Sequence, residues 1–67
     1  MDTIETSDDM AVVRLSGDEI RTVNNALNEV LNGPDAIEER EFETRLGVTR
    51  NFASTLLRAI RELPKAG

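Results

Sequence analysis

The chain of 67 residues contains no cysteine, no histidine, no tryptophan and no tyrosine. Without cysteine and histidine it has no thiolate nucleophile, no disulfide, no imidazole base and none of the usual zinc or iron ligands. Catalysis would have to rest on carboxylates, lysine or arginine, and so short a chain has little room for a deep active-site pocket. We therefore expect a protein that is not an enzyme and that holds no cofactor and no metal ion.

Aromatic side chains are limited to Phe42 and Phe52. A core must therefore come from Leu, Ile, Val and Ala, and because burial is marginal at this length we expect a homodimer that shares its core. Long apolar runs are also missing, and the first ten residues are acidic where a secretory signal needs a basic segment. The expected location is the cytoplasm, without a membrane partner.

The net charge of −5 is unevenly distributed. Residues 1–37 hold two basic and eight acidic residues, a net charge of −6, whereas residues 38–67 hold six basic and five acidic ones, a net charge of +1. The whole chain would be repelled by nucleic acid at long range, but its second half would not.

The sequence pattern predicts a mainly α fold, a small three-helix bundle with a short N-terminal β-prone arm. Residues 1–9 are acidic and without periodicity, which indicates a disordered tail, and residues 10–16 form the arm, which would pair with its copy in a dimer or pack on the helices. The single domain is expected over residues 10–63, with a frayed C-terminus at 64–67.

Capping patterns place the three helices. Ser16 and Glu19 have capping-box spacing before a first amphipathic helix, which "NGP" ends with Gly33 in the left-handed region. Asp35 and Glu38 repeat the spacing and predict a second helix, broken by Gly47. A third helix is expected to begin after a Thr49 cap, to stop before Pro64 and to bury one apolar face, made of Phe52, Ala53, Leu56, Ala59, Ile60 and Leu63.

Arginines fall on the predicted outer face of the third helix. At about 100° per residue, Arg50, Ser54 and Arg61 lie within about 40° of one another, opposite the apolar face, with Arg58 adjacent. Such a face, with Asn51 near its start, has the chemistry that phosphate and guanine contacts require. The alternative is an ordinary solvated surface, as on any amphipathic helix.

The stretch "EFETRLGVTRNFASTLL", within residues 36–63, resembles a helix-turn-helix, with a helix that ends in Leu, a Gly-Val turn and a Thr that opens the next helix. The resemblance implies DNA contact through the third helix. The resemblance assigns five side chains to the groove, namely Thr49, Arg50, Asn51, Ser54 and Arg58. Arg61 lies on the same predicted face and completes the candidate set for nucleic-acid binding. Four glutamates on the preceding helix would oppose a phosphate backbone, namely Glu38, Glu39, Glu41 and Glu43.

Two other resemblances carry less information. The strand-like "AVVRLS" and the last helix are similar to parts of ribbon-helix-helix repressors, but the roughly thirty residues between Ser16 and Gly47 argue against that connectivity. Residues 24–48, "NALNEVLNGPDAIEEREFETRLGV", resemble the core of small uncharacterised bacterial proteins. This implies a free-standing bacterial chain and no mechanism.

Asparagines line the first predicted helix on the side away from its apolar face. Asn is a poor helix former, so an idle surface would more often hold Glu, Lys or Gln. A polar surface for a protein partner explains the pattern, and sequence drift is the alternative. The candidate partner-binding residues are Arg21, Asn25, Asn28 and Asn32. With the acidic second helix, they favour an antitoxin-like or adaptor-like interaction protein as the second functional hypothesis.

Overall fold

The structure, a computed structural model, describes residues 1–66, with side chains as far as residue 63. Two strands, β1 (Asp2–Thr6) and β2 (Ala11–Arg14), precede three helices, α1 (Gly17–Asn32), α2 (Glu39–Leu46) and α3 (Arg50–Ala66). The fold is mainly helical with a short antiparallel sheet, which confirms the expected fold class in its coarse form.

The N-terminal residues form a β-hairpin, where the sequence predicted a disordered tail over residues 1–9. Strand β1 pairs with β2 from Asp2 opposite Arg14 to Thr6 opposite Ala11, and the register is irregular between Thr3 and Glu5. Three of the five residues in "DTIET" are β-branched, which favours a strand, and the nearby β2 supplies its hydrogen-bonding partner. The arm thus pairs within its own chain. Among the described residues, the hairpin strands do not pack against the helices.

Helix α1 begins as its sequence predicts. The Ser16 hydroxyl accepts a hydrogen bond from the Glu19 amide at 3.2 Å, and Glu19 accepts one from the Ser16 amide at 2.7 Å, which completes the capping box. The prediction for Gly33 was wrong, because its φ is −72° and its backbone is extended. A Cβ at Gly33 would lie 2.7 Å from the Glu29 carbonyl oxygen, so close approach of the backbone requires glycine there.

Helix α2 begins later than predicted. Asp35 does not open it. Glu38 occupies the N-cap position, without a side-chain cap. The Ile37 amide instead donates to the Val30 carbonyl oxygen at 3.1 Å, so the segment after α1 serves to close the end of that helix. The end of α2 is as predicted, with Gly47 at φ 81° and its amide bonded to the Glu43 carbonyl oxygen at 2.8 Å.

Helix α3 begins after the predicted cap, since the Thr49 hydroxyl accepts a hydrogen bond from the Phe52 amide at 3.1 Å. It continues through Pro64 to Ala66, where the sequence predicted an end at Leu63. A proline in the last turn removes only one bond of the helix ladder, so it does not force the helix to stop there. Gly67, the last residue of the segment expected to fray, lies outside the described residues.

The buried core is small. It consists of Leu31 from α1, Phe42 from α2, and Ala53 and Leu57 from α3, with half-buried apolar residues around them. Ala53 was predicted to be buried, whereas Leu57 was not. Helices α1 and α2 both pack against α3. The half-buried residues that pack on the core are Leu27, Val30, Ile37 and Val48.

Candidate interaction surface

The orientation of α3 decides which of its residues reach solvent. The predicted buried face centred between Phe52 and Ile60, but Phe52 is 58% exposed and Leu56 is 41% exposed. Ala53 and Leu57 face the core instead, which turns the inner side of α3 by about 80° from the predicted direction at about 100° per residue. The predicted arginine face is consequently turned towards α1.

Arg50 is part of the packing between the helices. Its Nη2 donates to the Leu31 carbonyl oxygen at 2.7 Å, and its guanidinium carbon lies 5.5 Å from the centre of the Phe42 ring. The Glu39 carboxylate lies 3.8 Å from Arg50 Nε, and the Arg50 side chain is 29% exposed. Within the described chain, its Nη1 is buried without a hydrogen-bond partner. Arg50 therefore joins all three helices and is not available to a DNA groove.

Arg61 links the predicted arginine face of α3 to the asparagines of α1. Its Nε donates to Asn24 Oδ1 at 3.3 Å, and its Nη2 donates to Asn28 Oδ1 at 3.1 Å. Asn32 also donates to Asn28 Oδ1, at 3.2 Å, and Asn24 donates to Asn25 Oδ1 at 3.1 Å. The two surfaces that the sequence offered as rival binding sites thus meet in one exposed polar network along the edge between α1 and α3.

The other predicted site residues remain at the surface. Asn51, Ser54 and Arg58 are exposed on α3, and the exposed Thr49 serves as the cap of that helix. On α1, Arg21 forms an exposed ion pair with Asp18 at 2.9 Å. A shallow surface cleft collects several of these side chains, and its lining consists of Asn32, Ser54, Leu57, Arg58, Arg61 and Glu62.

Comparison of the chain with family models, with curated proteins and with solved structures found no match.

The acidic residues of α2 line its solvent side. Glu38 pairs with Arg40 at 3.5 Å, while Glu41 and Glu43 are exposed. In the part of the chain that the structure describes, no three such side chains are arranged to hold a metal ion. The same residues include no helix that is both long and apolar enough to cross a membrane.

An apolar stripe on α3 is left without cover. It is formed by Phe52, Leu56, Ala59 and Leu63, which lie within about 60° of one another at about 100° per residue. All four are exposed, with Phe52 at 58% and Leu63 at 48%. We call these four residues the outer stripe. The sequence identified them as apolar but assigned them to the core, so their role as a surface was missed.

A second apolar feature adjoins this helix. A shallow cleft of about 500 Å³ lies between the start of α1 and the second half of α3. Its lining is mostly apolar and includes Ile20 and Ile60, together with Arg21 and Arg61. Ile60 is half-buried, and at about 100° per residue it lies between the core residues of α3 and the outer stripe.

The start of α1 has the one electrostatic perturbation that stands out among the described residues. The N-terminal ammonium group, by bonding to the Glu19 carboxylate, lowers the pKa of that carboxyl to about 2, and the Ser16 amide and hydroxyl act in the same direction. This contact links the hairpin end of the chain to α1. It stabilises the ionised form of Glu19 in the capping box.

Proposed function

We propose that this chain is a small non-catalytic binding module, a three-helix bundle of the bacterial cytoplasm, that acts by contact with protein through α3. The observation that carries the proposal is the outer stripe. Helix α3 has one apolar side in the core and a second apolar side in solvent, which includes Phe52 at 58% exposure. Apolar surface of this kind is typical of sites that bind protein.

The arginine contacts favour protein over DNA as the partner. Arg50 is engaged by Leu31 and Phe42, and Arg61 by two asparagines of α1. Arg58 is the remaining arginine of the predicted face, and the exposed glutamates of α2 lie on the adjoining helix. A net charge of −5 adds long-range repulsion from nucleic acid.

Affinity capture from a bacterial lysate tests this proposal with the full-length chain as bait. We expect a stoichiometric protein, either a second copy or another chain, that the wild type and Arg58→Glu retain and that Leu56→Glu loses. Both variants place a glutamate at an exposed position of α3, and Arg58→Glu changes the net charge more than Leu56→Glu does. A loss of capture with Leu56→Glu alone therefore reports on the stripe and not on charge. Equal capture by Leu56→Glu and wild type would refute the role of the outer stripe.

DNA contact is the second candidate, and the turn between α2 and α3 favours it. Gly47 in the left-handed region ends α2, and the Thr49 cap begins α3, which is the connection that the helix-turn-helix resemblance implies. The exposed side chains available for phosphate or base contacts are Thr49, Asn51, Ser54 and Arg58.

Titration of random duplex DNA at low salt tests the second candidate. DNA contact predicts binding that weakens with salt and that Arg58→Glu abolishes, whereas Arg21→Glu, on the opposite helix, leaves it in place. Arg50→Glu is unsuitable for this purpose, because it would disturb the packing between the helices. Absence of binding at low salt would eliminate DNA contact and leave the protein-binding proposal standing.

A further inference from the structure

The chain exposes more surface than a compact protein of its mass. Its accessible surface is 5492 Å², whereas a compact monomer of 7.4 kDa exposes about 4,200 Å². The radius of gyration is 13.3 Å, against about 11 Å for a compact chain of this length. The surplus, on the order of 1,300 Å², is comparable with the area that one subunit contributes to a stable dimer.

Exposed apolar side chains lie in two regions in particular, the hairpin and the outer stripe. The hairpin projects from the helices and exposes Ile4, Met10 and Val12. The outer stripe differs because it belongs to the same helix as the core residues Ala53 and Leu57. Covering it would extend the existing core across a new interface, without any rearrangement of the helices.

We propose that a second copy of this chain covers the outer stripe, so that two α3 helices pack against each other about a two-fold axis. This inference rests on the proposed function, because it names the partner of the same surface. The stripe consists only of apolar side chains, Phe52, Leu56, Ala59 and Leu63, at the i, i+4, i+7 and i+11 spacing with which helices pack together. A two-fold contact brings the same patch from both copies together, and an uncharged apolar patch is complementary to itself.

The charge distribution is compatible with such a contact. The charges nearest in sequence, Arg58 and Glu62, lie on one side of the stripe and are absent from its centre. Two chains of net charge −5 repel each other in solution, and salt screens this repulsion. The dimer is therefore expected to become tighter as salt is added, which is the opposite of the behaviour of a complex with a basic protein or with DNA.

Sedimentation velocity over a concentration series tests the inference. We expect a species of twice 7.4 kDa for the wild type. Leu56→Glu should weaken association by at least about tenfold, because it buries an unpaired carboxylate. Ser54→Glu is the matched control, since Ser54 is an exposed residue of the same helix on the side away from the stripe. A wild type that remains monomeric at every concentration and salt level would overturn the inference.

A cysteine cross-link gives a second measurement that keeps the core intact. Because the chain has no cysteine, Ala59→Cys introduces a single thiol near the middle of the stripe. Mild oxidation should link Ala59→Cys into a disulfide dimer much faster than Ser54→Cys, where the thiol points away from the interface. Equal rates for the two variants would contradict the α3 contact.

The two levels of the proposal fail separately. If the wild type is monomeric and capture through the stripe yields a different protein, the second copy is the wrong partner and the protein-binding function stands. If the wild type is monomeric and Leu56→Glu captures the same proteins as the wild type, both proposals are wrong.

Discussion

Arg50 donates a hydrogen bond from Nη2 to the carbonyl oxygen of Leu31, over 2.7 Å and across 19 positions of the sequence. The acceptor lies at the C-terminal end of α1, where helix carbonyl groups have no partner within their own helix. The same guanidinium lies over the Phe42 ring of α2. One side chain of α3 thus contacts both of the other helices. Arg50, which the helix-turn-helix resemblance assigned to a DNA groove, instead takes part in the packing between the helices.

Replacement of Arg50 should destabilise the fold. Arg50→Met removes the charged hydrogen bond and the contact with the aromatic ring, and we expect a loss of about 2 kcal/mol in the free energy of unfolding. Arg58→Met, at an exposed arginine of the same helix, should change it by less than about 0.5 kcal/mol. Urea unfolding followed by circular dichroism measures both. Similar stabilities for the two variants would refute the structural role of Arg50.

The contact between Arg61 and Asn28 should be weak but measurable. Both side chains lie towards solvent, so a double-mutant cycle with Arg61→Ala and Asn28→Ala should yield a coupling free energy of about 0.3 to 1 kcal/mol. The matched cycle uses Asn25→Ala, because Asn25 is exposed on α1 and accepts a hydrogen bond from Asn24 instead of Arg61. Coupling to Asn25 as large as that to Asn28 would contradict the observed network.

Acid should weaken the start of α1 in a defined pH range. The folded-state pKa of Glu19 is lowered from 4.5 to about 2, chiefly by the N-terminal ammonium group and then by the Ser16 amide. A lowered carboxyl pKa stabilises the fold fully above the unfolded pKa, and this contribution is lost as the pH falls from about 4.5 to 2.

An NMR titration of the Glu19 carboxyl carbon measures this directly, with the midpoint expected near pH 2. N-terminal acetylation removes the ammonium charge and should move the midpoint upward, towards the ordinary value for glutamate. A midpoint that is the same with and without acetylation would show that the terminal amine does not reach Glu19.

The turn before α3 should depend on Gly47 for its backbone geometry. At φ 81°, an alanine side chain is strained in the left-handed region, so Gly47→Ala should cost about 1 to 2 kcal/mol of stability. Gly17→Ala is the control, because a Cβ at Gly17 meets nothing within 4 Å and its φ is not positive. Thermal unfolding should show a lower Tm for Gly47→Ala and an unchanged or higher one for Gly17→Ala.

Features that depend on neighbours in sequence could be predicted from the chain. The capping box at Ser16 and Glu19, the cap at Thr49 and the break at Gly47 each involve residues within four positions of one another. Their hydrogen bonds form within one turn, whatever the rest of the fold does. This locality explains why the helices were found and most of their starting points were correct.

Features that depend on distant contacts could not be predicted in the same way. Apolar residues of α3 extend from Ala59 through Phe52 and Ile60 to Leu57, an arc of about 160° at about 100° per residue, so the pattern alone does not select the buried part. Packing against α1 selects Ala53 and Leu57. The inward position of Arg50 and the exposure of the outer stripe both follow from that choice.

The outer stripe as a protein-binding surface is tested most directly by photocrosslinking in living bacteria. The photoreactive amino acid p-benzoylphenylalanine replaces Phe52 in one variant of the full chain and Arg58 in another, both at exposed positions of α3. We predict a covalent protein adduct on irradiation from position 52 and little or none from position 58. Adducts of equal yield from both positions, or none from position 52, would contradict the account.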